Sequence, residues 1–527
     1  MNIIFTENGK ESEAELVKGK IILSYLQELG IDINCPCGGE GKCGQCLVEV
    51  ECAPGTLSEK TEVENKFIHD DTHRLACQAR IANTDNPIYV RVPRRTYYVL
   101  ESGEYKEIAL EPFVHLEGER VFCESEDIGE YTGEIYGIAL DIGTTTLAVY
   151  LIDLESGKVS SIISRENPQT KYGNNVISRI EFARKGQDIL EREIRTAVNE
   201  MIASLTEPSK ACEIVVVGNP VMRDLFFGYS VESLGKSPYE PLSVNPVSKT
   251  AKEVGLDANP ETRVYGLPLI GSFVGADALA VVLATEMYKS ESDKVCMAID
   301  IGTNTEIALG NKDRLIATSC AAGPAFEGAG IACGIGGVSG AIKEVKIENF
   351  GEVKYKTIDD AAAPVGVCGS GLIDALAELL DKKLIDGRGK FYGDEKELKI
   401  AKGIRLSERD IDQLNLAKTA VAVGIKVLLR RYGVELEGID SIFLAGGFVN
   451  FTNTEHAIRI GLLPDVERGK VKKVGNAALE GARQALISKA KREEAEAVAK
   501  RIEHIKLEEE ENFMELFVSE LYFQKYL

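Results

Sequence analysis

The feature that most constrains the fold is an internal repeat of one short motif. The stretch GIALDIGTTTLAVYLIDL, at positions 137–154, places an aspartate and a glycine turn between two apolar strands. A second version, CMAIDIGTNTEIAL, follows 159 residues later, counted from Asp141 to Asp300. A strand–turn–strand unit repeated at domain spacing predicts a duplicated α/β body with two lobes of the same plan.

Each copy of the motif has the residue types of a phosphate-binding turn. A glycine turn after a buried strand can direct backbone N–H groups at an anion, and an aspartate at the strand end can hold a hydrated Mg²⁺ ion. A single stretch of this kind is also compatible with an ordinary hairpin, but two copies at domain spacing favour binding. The candidates are Asp141, Gly143, Thr144 and Thr145 in the first copy, Asp300, Gly302, Thr303, Asn304 and Thr305 in the second, and Glu306 to orient water.

Two further strands end in glycine turns, one in the later part of each half. They are IVVVGNPVM at 214–222 and SIFLAGGFVN at 441–450. Gly446 and Gly447 have no side chain, so the backbone there can approach an adenosine closely. With these motifs, the body resembles the actin-like (ribonuclease-H-like) ATPase superfamily of sugar kinases, actin and heat-shock chaperones. That resemblance implies two α/β lobes that close on ATP between them.

A cysteine-rich loop, CPCGGEGKCGQC at positions 35–46, precedes the repeated body. Cys37, Cys43 and Cys46 have the spacing C-x5-C-x2-C, and Cys77 follows in RLACQAR. Three thiolates on one loop and a fourth from elsewhere are typical of a two-iron two-sulfur cluster. The glycines between them allow left-handed backbone angles, so the loop can wrap a cluster closely.

The alternative for this loop is a zinc knuckle that uses Cys35 or Cys37 with Cys43, Cys46 and another cysteine. Zinc sites usually contain two C-x2-C pairs, whereas this stretch has one such pair joined to a glycine-rich loop. The stretch resembles the ferredoxin superfamily over roughly the first 93 residues. The resemblance implies an α+β domain of the β-grasp type that holds the cluster.

Composition excludes several classes of partner. The formal net charge of −22 argues against nucleic acid and anionic membranes, which the summed field would repel. The start, MNIIFTENGKESEAE, lacks the features of a secretory signal, and no run reaches the about 18 apolar residues of a membrane span. Six of the twelve cysteines lie in the first 77 residues, which favours metal or redox chemistry over a secreted disulfide scaffold. We therefore expect a cytoplasmic protein.

The chain divides into four predicted regions. Between residues 94 and 133 the hydrophobic periodicity is lost and acidic residues become frequent, which predicts a linker. The predicted regions are a ferredoxin-like domain at 1–93, the linker at 94–133, a first actin-like lobe at 134–293, and a second lobe with C-terminal helices at 294–527.

Further motifs extend the resemblance over nearly the whole chain, to the reductive activators of corrinoid proteins. These motifs are NPQTKYGNNVISRI, VGNPVMRDLFFG, SCAAGPAFEGAG, VCGSGLIDALAELL, LAGGFVNF and MELFVSELYF. Some members of that family carry additional cysteine motifs after the ATPase body, whereas no cysteine follows Cys368 here. Members of the family return inactive cob(II)amide to cob(I)amide in methyl-transfer systems.

The resemblance implies a specific function and set of partners. An electron would pass from the iron–sulfur cluster to the cob(II)amide of a corrinoid protein, assisted by ATP and Mg²⁺. It also implies an upstream low-potential electron donor such as ferredoxin, and a homodimer. Two other functions remain open at this point: an actin-like kinase of small molecules with a regulatory cluster, and a redox-sensing interaction protein.

Overall fold

The computed structural model of the chain describes residues 1–7, 10–31, 33, 39, 41, 46–68, 71–92, 106–348, 352–360 and 363–525. Its N-terminal part consists of β1 (Asn2–Glu7), β2 (Lys10–Glu15), α1 (Ile22–Glu28), β3 (Leu47–Cys52), α2 (Glu64–Phe67), β4 (His73–Leu75) and β5 (Ile88–Arg91). The strands form one sheet in the order β2-β1-β5-β3-β4, in which β1 and β5 are parallel. Ile3 and Phe5 are fully buried and alternate with the more exposed Asn2, Ile4 and Thr6 along β1, as expected for a strand with one core face. The predicted β-grasp, α+β domain is confirmed.

Part of the predicted linker is folded. The strands β6 (Val114–Glu117), β7 (Arg120–Cys123) and β8 (Glu126–Glu130) form a three-stranded antiparallel sheet. Val114, Val121 and Ile128 are buried in the same core as strands of the first lobe. The linker prediction is therefore wrong for residues 114–130. The strands have only four or five residues and their exposed positions are mostly charged, so their periodicity was too short to recognise.

The first lobe follows directly. Its elements are β9 (Tyr136–Ile142), β10 (Thr146–Asp153), β11 (Val159–Glu166), α3 (Val176–Leu205), β12 (Ala211–Gly218), α4 (Pro220–Phe227), β13 (Val247–Thr250), α5 (Ala251–Val254), β14 (Arg263–Gly266) and α6 (Ala276–Thr285). The six strands are ordered β11-β10-β9-β12-β14-β13. β12 is buried along its whole length, as the run ACEIVVVG predicts for a central strand.

The second lobe is larger. Its elements are β15 (Val295–Asp300), β16 (Thr305–Gly310), β17 (Leu315–Cys320), β18 (Ala341–Ile347), β19 (Val353–Thr357), β20 (Gly366–Val367), α7 (Gly369–Asp381), β21 (Glu397–Ala401), β22 (Ile404–Ser407), α8 (Glu408–Tyr432), β23 (Ile439–Ala445), α9 (Thr454–Arg459), β24 (Val471–Gly475), α10 (Ala477–Ile487), α11 (Lys489–Ala499), β25 (Ile502–His504) and α12 (Phe513–Ser519). The main sheet has the order β24-β23-β15-β16-β17-β25.

The two main sheets repeat one arrangement. The order β11-β10-β9-β12-β14 in the first lobe corresponds to β17-β16-β15-β23-β24 in the second. In both, the central antiparallel strands are followed by a parallel partner, β12 beside β9 and β23 beside β15. The carboxyl ends of parallel strands meet at one edge of a sheet, which is where open α/β sheets bind ligands. The duplicated α/β body predicted from the repeat is confirmed.

One helix pair joins the lobes. Helices α6 and α10 belong to a core that also contains Ala139 of the first sheet and Ala298 of the second. A Cβ on Gly481 of α10 would lie 2.1 Å from the carbonyl oxygen of Ala280 in α6, so glycine is required for this close approach. Among the described residues, we find no helix whose length and apolarity would let it span a membrane.

Candidate nucleotide cleft and cluster domain

The two repeated turns line the same cleft, which has a volume of about 670 Å³. The first turn connects β9 to β10, and the second connects β15 to β16. Thr305 is fully buried, donates to the carbonyl oxygen of Gly302 at 3.5 Å, and is absent from the cleft lining. The other predicted residues of the body line the cleft: Asp141, Gly143, Thr144, Thr145, Asp300, Gly302, Thr303, Asn304, Glu306, Gly446 and Gly447.

Side chains from distant parts of the first lobe fix its turn. Asn167 Nδ2 donates to the carbonyl oxygen of Gly143 at 2.8 Å, and Asn219 Nδ2 donates to Thr144 Oγ1 at 3.0 Å. Arg179 donates through Nη2 to the carbonyl oxygen of Thr144. These three hydrogen bonds therefore fix the positions of Gly143 and Thr144 in the turn.

Arg179 is a buried cation behind this turn. Its side chain is fully buried, and Nε donates to the carbonyl oxygen of Gly173 at 3.0 Å while Nη1 donates to Gln169 Oε1 at 3.2 Å. Burial lowers the pKa of Arg179 to about 9, so the guanidinium remains charged at neutral pH. The sequence did not single out Arg179, although it lies in the motif NPQTKYGNNVISRI.

The second turn is surrounded by carboxylates. Burial, with the charges of Asp277 and Glu327, raises the pKa of Asp300 to about 7. Burial, with the charges of Asp277 and Asp300, raises the pKa of Glu306 well above its ordinary value, although Ser319 Oγ donates to it at 3.1 Å. Asp300 and Glu306 are paired on neighbouring strands, so burial and the repulsion between nearby carboxylates both disfavour their ionisation.

Two of these carboxylates were missed by the sequence analysis. Asp277 lies in the first turn of α6 and its pKa is raised by burial to about 6. Glu327 ends a 3-10 turn over Pro324–Glu327, and burial raises its pKa. A signal for Asp277 existed, because an acid inside the apolar run FVGADALAVVLA is costly to bury unless it has a function.

The first-lobe carboxylate belongs to the same group. Burial, followed by the charges of Asp277 and Asp300, raises the pKa of Asp141 well above its ordinary value. Asn476, which follows β24, lies 3.5 Å from Asp141 Oδ2 through Nδ2. Lys402 is the one basic side chain that the lobes contribute to the described cleft lining. Such a cleft is suited to a divalent cation that accompanies an anionic ligand.

The residues present fit Mg²⁺ bound together with a nucleotide. In the part of the chain that the structure describes, no cluster of three or more His, Cys, Asp or Glu side chains is arranged to hold a metal by itself. Mg²⁺ usually keeps several waters and is bound by one or two carboxylates with substrate phosphates. Asp141 and Asp300, facing one cleft, satisfy that requirement.

The glycine pair after β23 forms another wall of the cleft. Gly446 has φ +125°, and a Cβ there would lie 2.4 Å from the carbonyl oxygen of Ile301. Gly447 has no atom within 4 Å of its ideal Cβ position, so it borders open space. The pair leaves open space beside the backbone at this wall of the cleft.

In the cluster domain, the structure describes two of the four predicted ligands. Cys46 precedes β3 and Cys77 follows β4; both are buried, and the backbone N–H of Ala76 donates to the carbonyl oxygen of Cys46 at 2.8 Å. The two cysteines therefore lie at the same end of a strand pair in which Leu47 faces Leu75. Cys37 and Cys43, together with the alternative ligand Cys35, lie outside the described residues.

The glycines near these cysteines fit a loop that wraps a compact group. Gly39 and Gly41 have φ +90° and +72°. A Cβ on Gly41 would lie 2.8 Å from Gln78 Nε2, and one on Gly39 would lie 3.8 Å from the Cβ of Cys77. The left-handed φ angles favour glycine at both positions, and their backbone lies near Cys77 and Gln78, which fits a loop around a two-iron two-sulfur cluster.

The fold and cleft define a multidomain protein with a ferredoxin-like domain and an actin-like, nucleotide-binding body. Residues 5–82 match the "2Fe-2S iron-sulfur cluster binding domain" family, residues 136–290 the "RACo middle region", and residues 294–526 the "C-terminal domain of RACo the ASKHA domain". A solved structure titled "Reductive activator for corrinoid,iron-sulfur protein" is 30% identical, with a TM-score of 0.74 over 99% of this chain and 98% of that chain. The chain belongs to the family of reductive activators of corrinoid proteins.

Two characterised relatives have related names. The "Corrinoid activation enzyme RamQ" of Eubacterium limosum is 29% identical over 96% of this chain and 97% of its own length. The Co(II) methylated amine-specific corrinoid protein reductase of Methanosarcina barkeri is 28% identical over 73% of this chain and 77% of its own length. The predicted family is thus confirmed.

Proposed function

We propose that this chain is an ATP-dependent reductive activator of a corrinoid protein. It delivers one electron to the cob(II)amide of its partner and regenerates cob(I)amide for methyl transfer. The observation that carries the proposal is the presence, in one chain, of a ferredoxin-like domain and a two-lobed cleft with paired turns. Similarity to reductive activators along almost the full length supports this function over the kinase and sensor alternatives.

The cluster domain supplies the electron. We assign Cys37, Cys43, Cys46 and Cys77 as ligands, and the burial of Cys46 and Cys77 at one end of the β3–β4 pair supports the assignment. When bound, a two-iron two-sulfur cluster accepts and donates single electrons. The burial of Cys46 and Cys77, with Gly39 and Gly41 close to Cys77 and Gln78, would restrict solvent around the cluster.

The cleft between the lobes binds and hydrolyses ATP. Asp141 and Asp300 hold the hydrated Mg²⁺ ion, and Glu306 orients the attacking water, with Asp277 beside it. The backbone of the turns at Gly143–Thr145 and Gly302–Asn304 holds the phosphates, and Gly446 and Gly447 border the adenosine. The convergence of these groups on one cleft supports their roles.

The difference in reduction potential between the cluster and the cobalt acceptor explains the need for ATP. A plant-type two-iron cluster works near about −400 mV, and the cob(II)amide acceptor of such systems is harder to reduce. Each deficit of roughly 59 mV in a one-electron transfer costs about 1.4 kcal/mol, a factor of about ten in equilibrium. Nucleotide-linked closure of the lobes can offset this deficit by favouring a partner state whose cobalt has lost an electron-donating ligand.

The remaining partners are proposed on the same basis. A low-potential donor such as ferredoxin would reload the cluster, and the active form would be a homodimer in the cytoplasm. The net charge of −22 fits a protein that binds neither nucleic acid nor anionic membranes.

One experiment separates this function from the alternatives. We expect ATP hydrolysis that is stimulated by a corrinoid protein and yields ADP and phosphate, without a phosphorylated small molecule. Product analysis by phosphorus NMR, with and without the corrinoid protein, measures this directly. A phosphorylated sugar or acid would support the kinase, and the absence of any nucleotide turnover would support the sensor.

A further inference from the structure

A chain of side-chain hydrogen bonds between the two repeated turns joins the two lobes. Thr145 Oγ1 of the first lobe lies 2.8 Å from Thr303 Oγ1 of the second, and Thr303 donates to Glu327 Oε2. Thr145 Oγ1 also lies 3.4 Å from the same carboxylate oxygen. The chain therefore crosses from one lobe to the other and ends on an anion.

Glu327 uses the donors that a nucleotide phosphate would need. A threonine hydroxyl has one hydrogen, so it cannot donate to the carboxylate and to a phosphate at once. A partly buried carboxylate that loses its donors is destabilised, and a phosphate beside it adds repulsion. We propose that Glu327 is a positioning residue that holds the two turns together without nucleotide and releases them when the terminal phosphate of ATP enters.

Release of Glu327 affects the segment that follows it. Glu327 is the last residue of the turn Pro324–Glu327, and residues 328–339 continue along the cleft. This segment is tied to the second lobe where the backbone N–H of Ala332 donates to Asp410 Oδ1 at 2.8 Å. Because segment 328–339 follows Glu327 directly, we expect movement of Glu327 to loosen the segment, which makes it responsive to the presence of the terminal phosphate.

This inference rests on the proposed function, because it assumes that ATP binds between the turns. The first test measures two affinities by titration calorimetry, for Glu327→Gln and for wild type. One ligand is the magnesium complex of a non-hydrolysable ATP analogue, and the other is MgADP. Removal of the charge should raise affinity for the ATP analogue about tenfold, with a much smaller change for MgADP, which lacks the terminal phosphate.

A matched control is available on the surface of the first lobe. Glu253 also accepts from a threonine hydroxyl, Thr250 Oγ1, at 3.1 Å, but it is exposed and outside the cleft. Glu253→Gln should leave both affinities unchanged. Weaker or unaltered binding of the ATP analogue by Glu327→Gln would overturn the proposal, as would an equal gain for MgADP.

The first part of the second test needs no nucleotide and therefore stands if the proposed function fails. Hydrogen exchange of a peptide that covers 328–340 should be faster in nucleotide-free Glu327→Ala than in nucleotide-free wild type, and unchanged in Glu253→Ala. Adding the ATP analogue to wild type should increase exchange in the same peptide, and MgADP should not. Equal exchange in Glu327→Ala and wild type would contradict the proposed role of Glu327. If wild type binds no nucleotide at all, the proposed function and the nucleotide part of this inference both fail.

Discussion

The two repeated turns have the same strand pairing but different surroundings. Behind the first turn, the described side chains that contact it directly are the amides of Asn167 and Asn219 and the guanidinium of Arg179, all buried. Around the second turn lie Asp300, Glu306 and Glu327, whose pKa values are all raised by burial. The first turn has a buried positive charge behind it as well as Asp141 beside it, whereas, among the described residues of this group, only the carboxylates Asp300, Glu306 and Glu327 are found around the second.

This difference suggests that the two turns of the duplicated fold have different roles in ATP binding and hydrolysis. A buried cation near a turn favours an anion in front of it, because the interior screens charge less than water does. Carboxylates with raised pKa values favour a metal ion or an oriented water. We infer that the first turn mainly contributes to phosphate affinity, whereas the second mainly contributes to the hydrolytic step.

The largest expected effect is on the rate of hydrolysis. Asp300→Ala removes a proposed Mg²⁺ ligand beside the second turn, and a bound metal contributes several kcal/mol to charge stabilisation, so kcat should fall by about 10²-fold or more. Asp141→Ala should also lower kcat, because it removes the matching carboxylate of the first lobe. Steady-state phosphate release measures both. The visible spectrum of the cluster should remain intact, and its loss would show that the domains are not separate.

The second effect is on affinity and tests the first turn. Arg179→Met should weaken MgATP binding by about ten- to a hundredfold, with a smaller change in kcat, because the cation acts through the turn rather than on the reacting atoms. Arg179→Lys should recover part of the affinity. Calorimetric titration and steady-state kinetics on the same preparations separate the two parameters.

The matched control for Arg179 is another buried arginine of the same lobe. Arg223 is paired with Asp224 at 2.8 Å and lies outside the cleft lining. Arg223→Met should lower the free energy of unfolding, because it leaves a buried carboxylate without its partner, while nucleotide affinity is retained. If Arg179→Met changed only stability, as expected for Arg223→Met, the proposed contrast between the turns would be wrong.

The smallest effect concerns stability and pH. Folding raises the pKa of Asp300 from an ordinary 3.8 to about 7. Between these values the folded chain binds more protons than the unfolded chain, so Asp300 lowers the stability of the nucleotide-free protein as pH rises. Asp300→Asn should therefore raise Tm more at pH 8 than at pH 5, by roughly 2–4 °C for each kcal/mol of relieved repulsion. Calorimetry in EDTA measures this, and an equal shift at both pH values would contradict the assignment.

The sequence was sufficient to predict features that depend on residues close together in the chain. The repeated strand–turn–strand motif predicted the sheets and placed Asp141 and Asp300 at strand ends, because a buried strand followed by a glycine turn is recognisable within about ten residues. The direction of individual turn side chains was less predictable. Thr303 faces the other lobe whereas Thr305, two residues later, is buried under its own turn.

The sequence was insufficient where folding joins distant segments. Arg179 approaches the first turn from 35 residues away, and Glu327 lies 182 residues from Thr145. Such contacts depend on tertiary packing, which no local pattern encodes. The sheet at 114–130 was missed because its strands are short and bury few residues each. The roles of Cys37 and Cys43 remain predictions.

The most direct test of the account combines a pre-reduced protein with a corrinoid protein and follows cobalt in the visible spectrum. Without nucleotide, the corrinoid should remain largely as Co(II), and addition of MgATP should convert it towards Co(I). Asp300→Ala should behave as the sample without nucleotide, whereas Cys43→Ser should hydrolyse ATP without reducing cobalt. Equal reduction with and without ATP would contradict the central claim that this chain couples nucleotide to an uphill electron transfer.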